Sequence, residues 1–210
     1  MPRLDLGVLA AIVEQAEAHG LRVVVHTASP IDVTDALAAG VLSVEHGAAT
    51  AAADPALVAL VRDSGATYVP TLAAMYAAEQ LFPLAATGSV AGQNARAMFE
   101  AGVTVAFGTD SANAMLGLAL GPVVAAEAER LVAAGFAPAE VIEAMTRVSA
   151  SLLVRADGSS YLDVAGTLEA GKRADILVLD GDPLTDIAAL ANVHLVLVRG
   201  AAVVGTLAPP

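Results

Sequence analysis

Apolar positions along the first half of the chain follow two alternating spacings. Residues three or four apart are apolar over four segments, which predicts amphipathic helices at Leu6–His19, Ile31–Ala39, Pro55–Ser64 and Val90–Ala101. Short, nearly continuous apolar runs predict strands buried on both faces at Leu21–His26, Val41–His46, Thr67–Pro70 and Val103–Phe107. Each strand follows a helix and a glycine that suits the helix end: Gly20, Gly40, Gly65 and Gly102. This alternation predicts an α/β fold with a parallel sheet and right-handed crossovers.

The number of repeats limits the architecture. An eight-stranded barrel needs roughly 250 residues, so four strand-helix units indicate about half a barrel, or a smaller open sheet. Further helices are predicted at Val123–Ala134 and Pro138–Leu153, after a glycine-containing loop at Met115–Leu120. The pattern then becomes strand-rich, over Gly166–Leu179 and Val193–Val204. We therefore predict two domains, a partial barrel over residues 1–160 and a β domain over residues 161–210.

Three of the predicted strands lead into residues that commonly bind metals: His26, His46 and Asp110. The C-terminal ends of parallel strands meet at one edge, where barrels place their chemistry. Imidazole and carboxylate groups suit zinc or a similar ion. Alone, Asp110 would be interpreted as a loop cap and His26 as a buried structural histidine. Together they predict a metal site.

The other candidate residues fit structural roles better. Glu45 alternates to the face opposite His46, His19 lies in the last turn of a helix, and His194 opens a strand of the β domain. Tyr68 and Tyr76 lie on or after a strand, where packing and substrate contact are both open.

Composition excludes several classes of function. The chain is 57% hydrophobic and has no cysteine, so it has a packed core without disulfides or thiolate metal sites. A net charge of −12 argues against nucleic acid as a partner. No apolar run is long enough to span a membrane, and the N-terminus lacks a signal-peptide core. We expect a cytoplasmic protein whose partner is a small-molecule substrate.

Five pieces of the chain, in this order, resemble the C-terminal half of the amidohydrolase superfamily, closest to its imidazolonepropionase-like and prolidase-like branch. The first four resemble barrel strands five to eight, and the last, which is the most specific, resembles the return into the family's β-sandwich. The pieces are Val23–His26, Ala39–Gly47, Tyr68–Leu72, Ala101–Asp110 and Gly166–Asp180.

The resemblance implies the C-terminal half of a (β/α)8 TIM-like metal-dependent hydrolase barrel, with residues 161–210 as part of a composite β-sandwich. It implies hydrolysis of amide or cyclic amide C–N bonds by a metal-activated water. His26 and His46 would bind a divalent metal, expected to be zinc. Asp110 would bind metal and also act as the catalytic base.

Half of the family's ligand set is absent. No two histidines form the His-x-His of strand one, and the only lysine, Lys172, lies in the sandwich motif rather than on strand four. Two hypotheses stay open. The chain is an amidohydrolase completed by a longer reading frame, a separate N-terminal half or a homo-oligomer, or it is a non-catalytic remnant or scaffold. Retention of His26, His46 and Asp110 favours the first, and Met1 as the start favours the second.

Overall fold

A computed structural model describes residues 3–81, 87–111 and 120–205. The chain divides into two compact units, Met1–Val123 and Val124–Pro210. The proposed division at residue 160 stays a prediction, because compactness does not test which residues belong to a barrel and which to a sandwich.

The first unit alternates helices with short strands, as the spacing of apolar residues predicts. In chain order its elements are α1 Leu6–Ala18, β1 Val24–His26, α2 Pro30–Ala38, β2 Ser43–Glu45, α3 Pro55–Ser64, β3 Thr67–Val69, α4 Leu72–Leu81 and α5 Gly88–Glu100, with α6 Leu120–Ala133 running into the second unit. Residues 115–119 of the predicted loop lie outside the described residues. Its last residue, Leu120, begins α6.

Local signals explain where these helices begin and end. Ser29 and Asp32 form a capping box at the start of α2, with Pro30 in the first helical position. Asp54 caps α3 by accepting the Leu57 N–H at 2.8 Å. Gly65 ends that helix at φ 71°, and the other three predicted helix-ending glycines also have positive φ. The predicted helix-glycine-strand repeat is therefore confirmed for the first three units.

The three strands form a parallel sheet in the order β1-β2-β3, with Val25 opposite Val44 and Val44 opposite Tyr68. The stretch predicted as a fourth strand joins β3 through a single parallel bridge between Tyr68 and Val105. Two backbone hydrogen bonds make this bridge, Tyr68 N–H to Thr104 O at 2.9 Å and Ala106 N–H to Tyr68 O at 3.0 Å. The pairing is shorter than the strand predicted over Val103–Phe107.

The core of the first unit lies between the sheet and its helices. Side chains from β2, β3 and the surrounding helices are fully buried there: Val33, Val44, Val61, Tyr68, Leu72 and Met98. Because the strands are parallel and covered by these helices, their C-terminal ends and the loops that follow are left to form a site.

The second unit holds helices α7 Pro138–Glu143 and α8 Ser149–Leu152 and a small antiparallel sheet. The sheet has the order β4-β5-β6, with β4 Ile176–Leu179, β5 Val193–Val198 and β6 Ala201–Val204. A π-helical turn at Ala144–Val148 interrupts the long helix predicted over Pro138–Leu153. Side-chain hydroxyls bond to backbone carbonyls around this turn, as Ser149 Oγ donates to Ala144 O at 2.7 Å. Among the described helices, none has both the length and the apolar character needed to cross a bilayer.

Strand β1 is an edge strand, and this position predicts self-association. Val24 is 56% exposed on that edge, beside unpaired backbone groups that attract another strand. We expect sedimentation velocity at tens of micromolar, an order-of-magnitude choice, to detect a dimer or larger species. Val24→Lys should weaken this association, whereas Leu60→Lys, at an exposed position on α3, should not. A clean monomer of the unmodified chain at that concentration would contradict the expectation.

Candidate metal centre

The sheet brings the two predicted histidine ligands together. His26 is the last residue of β1, and His46 directly follows β2, the strand paired in parallel with β1. Their ring centroids lie 4.5 Å apart, with an angle of 67° between the ring planes, so the rings meet edge to face. His26 is exposed, whereas His46 is only 7% exposed.

Asp110 lies at the same end of the sheet as the two histidines, but its side chain does not join theirs in a group that could hold one ion. It follows the stretch that pairs with β3, and its side chain is exposed. Burial, with His26 as a second cause, lowers the pKa of His46 from 6.5 to about 4, while the Asp110 charge acts in the opposite direction. In the part of the chain that the structure describes, no three or more histidine, cysteine, aspartate or glutamate side chains are placed to hold one ion.

Backbone strain is concentrated at these strand ends. His46, Thr71 and Asp110 have positive φ angles of 64°, 47° and 49°. Positive φ is uncommon outside glycine and a genuine outlier for a β-branched residue such as Thr71. In the described residues the one other case is Arg199, in a turn of the second unit. Strained positions cluster at active sites, so the distribution supports a functional role for this edge.

Thr71 is the site residue that sequence reasoning missed. Its Oγ1 lies 2.5 Å from Nδ1 of His46, and both side chains are buried. The His46 backbone is fixed as well, because its N–H donates to Val69 O at 2.8 Å. The signal in the sequence was slight: a threonine directly after a strand that ends at the same edge.

Gly47, the residue after His46, lies in close contact with the ring of Tyr68. A Cβ atom on Gly47 would lie 2.0 Å from Cζ of Tyr68, so only glycine fits beside this ring. Tyr68 is fully buried, burial raises its pKa to about 12, and its hydroxyl accepts the Ala48 N–H at 3.1 Å. Of the two roles left open for Tyr68, the structure therefore shows packing.

Two buried polar side chains hold the loops that carry the histidines. Thr27, next to His26, donates its hydroxyl to the carbonyl oxygens of Glu45 and Gly47, at 3.0 and 3.1 Å. Asn94 on α5 donates to Ala48 O at 2.6 Å and to Ala51 O at 2.9 Å, and it accepts the Ala53 N–H at 2.9 Å. These bonds lock the loop after β2 onto a helix, so the position of His46 is set by rigid elements.

The remaining candidates have the structural partners expected of them. Glu45 is half-buried and accepts the Ser43 hydroxyl at 2.6 Å, and burial raises its pKa. His19 is the C-terminal cap residue of α1. His194 lies on β5 with Nδ1 3.0 Å from Oδ1 of Asp180, both side chains being exposed. Lys172 donates to Thr167 Oγ1 at 2.6 Å within its turn.

The chemistry of the donor set fits a metal ion in part. His46 is neutral at pH 7 because of its low pKa, and with Nδ1 next to Thr71 its Nε2 is the nitrogen left for an ion. His26 supplies a second imidazole in ring contact. Catalytic zinc sites take three protein ligands, so this pair needs at least one more.

Parallel strands with candidate ligands at their C-terminal ends are the arrangement found in part of an α/β barrel, and comparison with known proteins agrees. The chain belongs to the amidohydrolase family, whose model matches residues 5–203. The predicted resemblance is therefore confirmed. No curated protein matches the chain by sequence.

Solved structures place the chain within that fold. A Xaa-Pro dipeptidase with methionine bound in its active site is 30% identical with a TM-score of 0.81, over 96% of this chain and 49% of its own. The ochratoxinase of A. niger is 25% identical with a TM-score of 0.79, over 98% of this chain and 46% of its own. A prolidase complexed with N-methylphosphonate-L-proline is 26% identical with a TM-score of 0.72, over 96% and 49%.

The chain spans about half the length of the solved structures it matches. Together with the parallel sheet, this coverage confirms the predicted fold class, the C-terminal half of a (β/α)8 amidohydrolase barrel with part of its β-sandwich.

The low pKa of His46 predicts a stability loss in acid. Because the pKa of His46 is lower in the folded protein than in the unfolded chain, the unfolded chain binds the proton preferentially below pH 6.5. The free energy of unfolding is therefore highest above pH 6.5 and falls as the pH drops from 6.5 to about 4. In metal-free protein we expect a loss of up to about 3 kcal/mol from this source. Denaturant unfolding of the chain and of His46→Gln across this range measures it, with exposed His19→Gln as the control. Parallel pH profiles for the chain and His46→Gln would contradict the account.

The contact between Gly47 and Tyr68 predicts an unusually costly glycine substitution. Gly65 also has positive φ, but nothing lies within 4 Å of a Cβ added there. Gly65→Ala should therefore cost only the left-handed strain of about 1–2 kcal/mol. Gly47→Ala should cost about 1–3 kcal/mol more, because the Tyr68 ring must move. Equal losses in the free energy of unfolding would show that the ring is not held against Gly47.

Proposed function

We propose that this chain is the C-terminal half of a metal-dependent hydrolase acting on amide or cyclic amide C–N bonds. The observation that carries the proposal is the contact between His26 and His46, at adjacent strand ends where His46, Thr71 and Asp110 are strained. Family membership supports the reaction class, since the similar structures include a dipeptidase, a prolidase and ochratoxinase.

The three residues take distinct roles in the proposed reaction. His26 and His46 would hold one divalent metal, with zinc expected because imidazole suits it, and Asp110 would supply a carboxylate ligand to the other metal position. When bound, such an ion polarises a carbonyl group and brings the pKa of a water molecule near 7. The Asp110 carboxylate takes the proton from the attacking water as general base. Its exposure leaves it accessible to substrate and solvent.

The substrate proposed first is a small dipeptide-like molecule with an acylated proline or a similar amide. Support comes from the similar Xaa-Pro dipeptidase and from the prolidase complexed with N-methylphosphonate-L-proline. The net charge of −12 argues against nucleic acid as an alternative partner, because the phosphates are also negatively charged. The cytoplasm stays the proposed compartment, for which cell fractionation is the test.

A second polypeptide segment is proposed to complete the site. A groove of about 700 Å³ runs beside β1 and is lined by Leu9, Ile12, Val24 and His26, among others. It combines an unpaired strand edge, apolar side chains and one proposed ligand, which suits a preceding strand-helix unit. That unit would come from a longer chain, a separate N-terminal half or a second copy.

The alternative is a non-catalytic remnant or scaffold. It is favoured by one observation, the lack of any group of three metal-binding side chains among the described residues. The two functions differ in what completion of the barrel does. A hydrolase half gains metal affinity and turnover when the other half is supplied, and a remnant gains neither.

The proposed function predicts a dependence of both metal binding and activity on the missing half. The isolated chain should retain little zinc after dialysis and show little hydrolysis of N-acyl amino acids, dipeptides and cyclic amides, because its ions lack ligands. Fusion to the N-terminal half of the similar Xaa-Pro dipeptidase should raise both. His26→Ala and Asp110→Ala should abolish the gain in turnover, whereas His194→Ala, at an exposed position in the second unit, should keep it.

Two results would overturn parts of this account. Near-stoichiometric zinc and robust turnover by the isolated chain, both lost in Asp110→Ala, would show that its own site is complete. A folded fusion that neither binds zinc nor hydrolyses any of these substrates would favour the remnant.

A further inference from the structure

We propose that Thr71 is a positioning residue that fixes the tautomer of His46, its Oγ1 accepting the Nδ1–H so that Nε2 keeps a free lone pair. The inference rests on the proposed function, in which that lone pair binds a metal ion. It concerns one contact, the 2.5 Å separation between Nδ1 and Oγ1.

The contact is sheltered enough to decide which nitrogen carries the proton. Thr71 is 3% exposed and His46 7% exposed, so little water competes for either group. A neutral imidazole has one N–H donor and one acceptor nitrogen, and the partner of one nitrogen decides the state of the other. At metal-binding histidines such an outer partner fixes both the tautomer and the ring orientation.

The opposite direction of this hydrogen bond would disable His46 as a ligand. A threonine hydroxyl can donate as well as accept, and donation to Nδ1 would place the ring proton on Nε2. Neither ring nitrogen would then have a lone pair available for an ion. Of the two arrangements that the contact allows, acceptance by Oγ1 is therefore the one compatible with a metal ligand.

The strained backbone of Thr71 supports a functional role for its side chain. Its φ of 47° is a conformation that β-branched residues rarely adopt and that glycine or asparagine would adopt more easily. Strain of this kind persists only where surrounding contacts hold it, and it concentrates at functional sites. Here the carbonyl of Thr71 accepts the Met75 N–H at 3.1 Å in the first turn of α4, and Pro70 precedes Thr71 in the chain.

Thr71 also lies between the two strand ends that carry His46 and Asp110. Its hydroxyl meets His46, and its methyl group, Cγ2, would lie 3.6 Å from a Cβ atom added to Gly108, two residues before Asp110. The side chain thus has a polar contact on one side and a methyl group near Gly108 on the other. Replacement by valine keeps the shape and the methyl group and removes only the hydroxyl.

The test reads the tautomer directly, without metal. Long-range proton–nitrogen NMR spectra of ¹⁵N-histidine-labelled, chelator-treated chain identify the protonated nitrogen at about pH 8, well above the ordinary histidine pKa. His46→Gln assigns the signal. We expect the Nδ1–H form in the unmodified chain and in Thr71→Ser, and the Nε2–H form in Thr71→Val, where the buried Nδ1–H would lose its acceptor.

Thr87→Val is the matched control. Thr87 is also a buried threonine of the first unit, and its hydroxyl donates to Met75 O at 3.0 Å instead of to a histidine. This variant should leave the His46 tautomer unchanged. An Nε2–H form in the unmodified chain would overturn the proposal whether or not Thr71→Val folds, and so would an unchanged tautomer in a folded Thr71→Val.

Zinc binding provides an independent readout of the proposed function. In the chain fused to the N-terminal half, competition with a chromogenic chelator measures zinc affinity. Thr71→Val should weaken zinc binding about 10–100-fold there, and Thr71→Ser should stay close to the unmodified fusion. An Nδ1–H tautomer that depends on Thr71, found in a protein that binds no zinc even when completed, would uphold the positioning role and overturn the metal function. Zinc binding by a protein whose metal-free His46 has the Nε2–H tautomer would overturn the positioning role and uphold the metal function.

Discussion

The buried ring of Tyr68 is the contact on which the candidate site depends. Tyr68 lies on β3, and its backbone pairs with β2 on one side and with Val105 on the other. The ring lies against Gly47 and its hydroxyl accepts the Ala48 N–H, so one side chain fixes the loop that begins at His46. An aromatic ring is suited to this, because it combines a large packed area with one polar atom that needs a partner.

The chemistry of the site follows from this rigidity. Parallel strands direct His26, His46, Thr71 and Asp110 to one edge, and the turns there force three of these residues into left-handed backbone conformations. Buried hydrogen bonds from Thr27 and Asn94 compensate by tying the loops to the sheet and to α5. The result is a neutral, fixed imidazole beside an exposed one, which is two of the three protein ligands that a catalytic zinc site takes.

Sequence patterns predicted the frame of this arrangement and missed its details. Apolar spacing and glycine positions gave the helices and strands, and alternation alone implied that His26 and His46 would end neighbouring parallel strands. The link between Thr71 and His46 was not predictable, because it joins residues 25 apart whose approach depends on tertiary packing and on an unusual φ angle. The short pairing at Val105 was missed because an apolar run does not reveal how far a strand will pair with its neighbour.

We propose that His26 and His46 share one ion. The sharpest test is an anomalous difference map collected at the zinc absorption edge, from crystals of the chain fused to an N-terminal barrel half and grown with zinc. We expect one peak about 2.0–2.1 Å from a ring nitrogen of each histidine, with Nε2 as the ligand atom of His46. A well-ordered map with no peak between the two rings, or with zinc bound through Nδ1 of His46, would contradict it.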